Sequence, residues 1–393
     1  MRSLTLRACA YRFFDTFLLI VPFYTVMFSD RGLTPSQIGI ALAAWSATGL
    51  VLEIPMGILA DRFSRRWLLF SGQTVRALGF VVWMLVPSFW GFLLGFVLWG
   101  VKSATQSGTF EALVYDEVTA QGRQEEYVRV IARAQSARFT GVLTASLLAA
   151  AAVGTGYPML IAASAVAGAT AAGLALLLPA APRALSMARR GYLAQLRLGV
   201  SHAARLPGVA PLLVFIAGLQ SIAAACADYW QLFAREVGLP APGIALFIAA
   251  LSASGVAAAA LAHRMREVPI RRLYGFVIIA GIALVAGAAT FEVWSIIFPM
   301  VFVFCYWLVD VNTDARFQHA IVQETRATVA SVKGFATQLS TTILLLSFGL
   351  IAQAGDYRLA FLTYGIGMTL LGVTYGAWSL RPARPASPGL GGD

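Results

Sequence analysis

Apolar stretches of about twenty residues recur along the whole chain, separated by short polar turns. At 1.5 Å per residue, that length lets an α-helix cross the roughly 30 Å hydrocarbon core of a bilayer. The 393 residues are 59% hydrophobic and only 12% charged, against roughly 25% charged in soluble proteins. Such a chain has too little polar surface to cover a globule in water. The expected fold class is an all-α integral membrane protein with twelve transmembrane helices.

The spans are placed at 8–28, 37–59, 67–87, 90–114, 128–152, 158–180, 210–233, 242–262, 272–291, 294–315, 327–352 and 359–380. Turn residues mark several ends: Thr34-Pro35-Ser36, Pro87 and Gly154-Thr155-Gly156. The start, MRSLTLRACAYRFFDTFLLIVPFY, has a basic head and an apolar body like a signal peptide. Arg12 and Asp15 interrupt that body and no small-x-small cleavage site follows, so it is read as the first span.

The net charge is +11. The basic residues lie in short loops between apolar runs, which fits an anionic inner leaflet better than nucleic acid. They fall almost wholly on the side of the termini; only Arg31, Arg235 and Arg358 lie in loops on the other side. By the positive-inside rule both termini are cytoplasmic, and the expected location is a bacterial-type plasma (inner) membrane. The longest break, 181–209, carries five arginines and no acid, and its middle suits a basic amphipathic helix on the membrane surface. It divides the chain into a first unit (1–180), a basic linker (181–209) and a second unit (210–380), followed by a Pro- and Gly-rich tail (381–393) expected to be disordered. Cys9, Cys226 and Cys305, and His202, His263 and His319, show neither disulfide nor metal-ligand spacing, so no metal and no cofactor is expected. No phosphate-binding G-x-x-x-x-G-K-[ST] loop supports ATP drive, and no catalytic signature supports an enzyme.

LADR after the second span (59–62) and LAHR after the eighth (261–264) repeat at the same place in each set of six. Repeated halves are a transporter plan, with the site between them near the midplane. The loop GILADRFSRR (57–66) resembles the signature loop of the major facilitator superfamily, roughly G-x-x-x-D-R-x-G-R-R/K between helices two and three. Gly57, Asp61, Arg62, Arg65 and Arg66 match, and Ser64 stands at the usual glycine. The resemblance implies two pseudo-symmetric six-helix bundles rocking about a central cavity, in a monomer embedded in lipid. It implies a conformational latch in which the acid at Asp61 packs near the start of the eleventh helix, where Lys333 lies. The tract 111–136 resembles drug and small-molecule exporters. The helix-four and helix-five signatures of proton-coupled drug antiporters are altered: Lys102, Gln106 and Gly108 are spaced differently, and helix five has no proline.

A charge near the bilayer centre costs at least about 2.5–3.5 kcal/mol and so faces a cavity or a partner. Asp15 is either a local partner of Arg12, three residues away, or a cavity acid that takes a proton or cation. Glu53, before Pro55, is a proton carrier or a brace for the loop below it. Arg76, Lys102 and Arg138 supply cations to the first half, with Lys102 nearest the midplane and Arg133 able to reach the surface. Asp228 is placed at the outer mouth. Asp310 and Asp314 share a helix face, and an Asp–Lys bridge to Lys333 is favoured over protonation of Asp310. Tyr306 and Trp307 are candidate cavity walls. The expected function is secondary transport: proton-coupled efflux of a small amphipathic molecule, with import of a nutrient or organic anion as the alternative.

Overall fold

The computed structural model describes residues 2–179, 201, 209–321 and 326–380. The expectations for the 181–209 linker (Ser201 and Val209 apart) and for the 381–393 tail lie outside these residues. The described residues are mostly helical, with no strand among them. In the first half the helices are α1 (Arg2–Thr16), α2 (Tyr24–Asp30), α3 (Pro35–Arg62), α4 (Arg65–Leu85), α5 (Phe89–Gln106), α6 (Thr109–Ala120), α7 (Tyr127–Ala152) and α8 (Tyr157–Leu176). In the second they are α9 (Val209–Glu236), α10 (Ala241–Leu261), α11 (Ile270–Thr290), α12 (Ile297–Ala320), α13 (Arg326–Ala354) and α14 (Tyr357–Trp378). Local chemistry fixes several ends. Thr34 and Gln37 form a capping box before Pro35 at the start of α3, and Asp356 caps α14 by accepting from the Leu359 N–H at 2.6 Å. Each supplies an acceptor to amides that have none within the helix.

The same pairings recur in both halves. The third and sixth spans (α4, α8) pack as the ninth and twelfth (α11, α14) do; α3 meets α5 as α10 meets α12; α1 meets α7 as α9 meets α13. Two bundles of six spans with one internal plan follow directly. Between the bundles α3 packs on α13, α7 on α10 and α2 on α9.

Among the described residues ten helices are long and apolar enough to cross a membrane uninterrupted. The first and fourth spans, expected as continuous at 8–28 and 90–114, are broken instead. Span one stops at Thr16 and resumes at Tyr24. Pro22 supplies the reason: it has no N–H, and its ring clashes with the carbonyl four residues back. Span four breaks at Gly108, whose φ of 66° is left-handed, a conformation glycine adopts without penalty. Irregular backbone at membrane depth must find partners within the protein. Here the Ile20 N–H donates to the buried Ser164 Oγ at 3.0 Å, and the Val21 carbonyl accepts from Gln231 Nε2 of α9 at 2.8 Å. Replacing Ser164 by alanine strands that amide in an apolar surround. The expected cost is about 1–3 kcal/mol, read as a lower midpoint when the purified protein is unfolded in detergent.

The bundles are pressed together at the end away from the termini. Tyr24 Oη donates to Asp228 at 2.6 Å, Arg235 pairs with Asp30 at 2.7 Å, and Thr25 donates to Gln231 Oε1 through N at 3.0 Å and Oγ1 at 2.7 Å. Ser46 meets Thr342 at 2.7 Å, and Gln338 donates to Ser46 Oγ at 2.7 Å. Where α3 crosses α13, a Cβ added at Gly39 would lie 2.9 Å from Gly349 Cα, so the contact is backbone to backbone. Toward the termini the same two helices part. Ile58 is exposed, and Gly57 and Gly334 have no neighbour close enough to touch an added Cβ.

Candidate functional site

Both breaks border one cavity of about 500 Å³ in the first half, lined by Asp15, Leu18 and Val21 on one side and Gln106, Ser107 and Gly108 on the other. Asp15 stands at its centre and is 3% exposed. Its Oδ1 receives Lys102 Nζ at 2.6 Å, Gln73 Nε2 at 2.7 Å and Arg76 Nη1 at 3.3 Å. Its Oδ2 receives Gln106 Nε2 at 2.8 Å and lies 3.7 Å from Arg12 Nη1. One carboxylate therefore serves three cations brought from α1, α4 and α5. The local Arg12 pair exists but is the longest of these contacts. Arg12 also reaches Glu111 of α6 at 3.4 Å.

Arg76 does a second job. Its Nη1 donates to the Asp15 carbonyl at 2.9 Å and its Nη2 to Gln73 Oε1 at 2.6 Å. That carbonyl belongs to the last turn of α1, where acceptors lack helical partners and the dipole favours a cation. Gln73 Nε2 in turn donates to Tyr11 Oη at 3.1 Å. Burial of these charges is offset only because each finds opposite charge or an oriented amide. The wall beside them is aromatic: Trp45 and Trp99 stand with ring centroids 5.7 Å apart, and the Arg76 guanidinium lies over Trp99 at 5.8 Å.

Ser103 and Ser107 also line a smaller cleft of about 250 Å³ with Glu53, Gly334 and Gln338. The cavity thus continues into the seam between α3 and α13, on the open side. Glu53 has no hydrogen bond or ion pair among the described residues. Asp228 sits elsewhere, in the seal at the opposite end, through Tyr24. Asp310 accepts from Gln220 Nε2 at 2.8 Å, while Lys333 bonds Asp314; the two acids share a face and use different partners. Tyr306 and Trp307 line a separate apolar pocket with Trp230 and Phe302 in the second half, and are not among the residues lining the Asp15 cavity.

In the signature loop, Arg65 pairs with Asp116 of α6 and donates to the Ala112 carbonyl at 2.8 Å. Arg62 and Gly57 are exposed, and Arg66 keeps an Nε–H without an acceptor. The Asp61 side chain lies outside the described residues. The residues sequence reasoning did not single out are Gln73, Trp45, Trp99 and Gln231, and it noted Gln106 only within an altered helix-four signature. Amides and tryptophans raise no alarm in an apolar helix, although Pro22 and Gly108 were signals that the backbone near them would open.

A family model described as Major Facilitator Superfamily matches residues 8–344. The inner membrane transport protein YajR of Escherichia coli (strain K12) is 33% identical over 112 residues, 28% of this chain and 24% of that protein. An uncharacterized transporter of Buchnera aphidicola subsp. Schizaphis graminum is 33% identical over 86 residues, 22% of each. The chain thus spans about a quarter of the length of these curated relatives. The fold is similar to that of solved transporters across nearly the whole chain. The nucleoside transporter NupG aligns with a TM-score of 0.79 at 12% identity, covering 97% of this chain and 99% of that one. A bacterial homolog of the human lysosomal transporter Spinster, inward-facing and occupied, aligns at 0.77 with 16% identity and 96% of each chain. A D-xylose-proton symporter aligns at 0.71 with 14% identity, covering 97% and 98%.

Proposed function

Because the chain belongs to the major facilitator superfamily and has the fold of its secondary transporters, we propose that it works by alternating access, exporting a small amphipathic molecule in exchange for protons. The observation that carries this reading is the pairing of a sealed end with an open one: the bundles touch from residue 21 to residue 46, then part around a cavity that holds a buried acid. A mixed lining of charges, tryptophans and aliphatic side chains suits an amphipathic cargo. Asp15 is the proposed coupling group, since a proton there would withdraw the one negative charge that Lys102, Arg76 and Arg12 share. Export is the proposed direction on the resemblance of the 111–136 tract to exporters. We place the two rocking bodies at 1–180 and 210–380, both termini in the cytoplasm of a bacterial-type inner membrane, and the working unit as a monomer in lipid. Gly57, Asp61, Arg62, Arg65 and Arg66 act as the latch when the open end closes.

Ser36 and Gln353 touch across the sealed end, 3.4 Å apart, and make a spin-label pair once the native cysteines are replaced. In nanodiscs their distance distribution is expected to hold a short population and a second one longer by roughly 10 Å, with the ratio shifting with pH. One short population at every pH would refute alternating access. In inside-out vesicles made acidic within, a panel of amphipathic dyes is expected to accumulate; proton-driven loss from the vesicles would establish import instead.

A further inference from the structure

The charges around the cavity do not cancel. Four cations line it, Arg12, Arg76, Lys102 and Arg138, against two carboxylates, Asp15 and Glu111. Asp15 is spoken for by Lys102 and Arg76, and Glu111 by Arg12. Arg138 is left over. It projects from α7 into the open cavity, and its guanidinium has no hydrogen bond and no ion pair among the described residues. A free arginine at membrane depth is costly unless something compensates it.

The geometry of unmet donors points the same way. Arg76 is 2% exposed and lines the cavity, yet its Nε–H has no acceptor; the Nε–H of Arg12 is buried and unmet as well. The break at Gly108 adds more donors. It places the N-terminus of α6 at the cavity wall, with no side chain capping it. Backbone N–H groups at a helix start, together with the positive end of its dipole, favour an anion. Buried groups are ordinarily satisfied. The unmet ones at this cavity are the two charged Nε–H donors of Arg76 and Arg12 and one neutral acceptor, Gln106 Oε1, so unmet donors outnumber the unmet acceptor and carry the excess positive charge. Opposite them stand Trp45 and Trp99, with Leu18, Val21 and Val142 completing an apolar wall. At about 500 Å³ the space is in the range of small-molecule sites.

We infer that this cavity takes a small organic anion, an acid headgroup held by Arg138, Arg76 and the start of α6, with a flat apolar body against Trp45 and Trp99. The inference rests on the transporter reading and adds the chemical class of its cargo. Arginine suits the role because its planar fork matches a carboxylate or phosphonate with two parallel hydrogen bonds. The headgroup fills the acceptor positions that the fold leaves empty, and the apolar body explains why tryptophans stand beside charges.

The test uses four aryl probes of matched size on the purified full-length protein in detergent, followed by titration calorimetry: benzoate, phenylphosphonate, benzylamine and benzyl alcohol. Benzoate or phenylphosphonate is expected to bind saturably, whichever is tighter identifying the headgroup, with the amine and the alcohol at least about tenfold weaker. Arg138→Gln is expected to weaken anion binding about tenfold or more, the loss typical of one charge-assisted hydrogen bond, and Arg138→Lys to recover part of it. Since Arg138 has no partner to strand, both variants should fold, and an unchanged circular dichroism spectrum verifies it. Equal or tighter binding of benzylamine, anion binding indifferent to Arg138→Gln, or no saturable binding of either anion would each overturn the inference. The Ser36–Gln353 distances keep the two readings apart. A protein that still exchanges between two populations but ignores anions loses only the cargo class, whereas one that never exchanges loses the transporter reading.

Discussion

Asp15→Asn is expected to abolish proton-driven flux and to make the Ser36–Gln353 distance distribution independent of pH. The substitution keeps the size of the side chain and removes its charge, so Lys102 and Arg76 face each other with nothing between them. Removing one partner of a buried ion pair costs about 3–5 kcal/mol, visible as a marked fall in the unfolding midpoint. A collapse in folding alone would explain lost flux, so the paired variant Asp15→Asn with Lys102→Gln is the discriminating one. It removes one cation along with the carboxylate, so the net charge around that position returns to its original value with Arg76 still cationic, and it should recover most of the stability. Transport should stay uncoupled. A paired variant that both folds and responds to a pH gradient would show that the proton binds elsewhere, with Glu53 the next acid along the open cleft.

Gly39→Leu is expected to act at the opposite end with an effect as large. The α3–α13 crossing there leaves no room for a Cβ, since the nearest atoms are the backbone of Gly349 at 2.9 Å and the Leu345 carbonyl at 3.1 Å. Helices that approach this closely rely on small residues at the contact. A leucine must therefore hold the bundles apart, and the protein should populate almost solely the long-distance form. Turning a 99:1 mixture into 1:99 takes about 5.5 kcal/mol, which overlap with unyielding backbone on both sides can supply. Flux should fall more than about tenfold while the protein still folds, because each bundle keeps its own core. A short Ser36–Gln353 distance in this variant would mean that the two helices slide rather than part.

Much of this architecture was readable from the chain alone. Thr34-Pro35 and the glycines after the fifth span mark helix ends by local chemistry, and the 59–62 and 261–264 echo announces the repeat that the matched helix pairings display. The charged side chains of the cavity were legible for a thermodynamic reason: Asp15, Arg76, Lys102 and Arg138 are costly in lipid, so each had to face water or a partner. Their arrangement was not legible. That Asp15 belongs to Lys102, 87 positions away in sequence, depends on how α1, α4 and α5 meet. Gln73 and Gln106 hold the same carboxylate without any charge to reveal them. The breaks in spans one and four escape a hydropathy reading because it averages over a window and barely registers one proline or one glycine. The two halves share a helix pairing but not this feature, since α9 and α12, the second-half counterparts, run unbroken among the described residues.

The Val21 carbonyl gives the first of those breaks a meaning of its own. Val21 forms part of the cavity wall, and its oxygen, freed from the helix ladder, is held by Gln231 across the sealed end. The same short strip of backbone therefore belongs both to the cavity wall and to the contact that holds the two bundles together. Under the proposed transport cycle, a molecule settling against this strip would act on that contact directly, without a relay of side chains. Cargo size should consequently set how fast that contact opens, so that ligands of equal affinity but unequal bulk would be carried at different speeds.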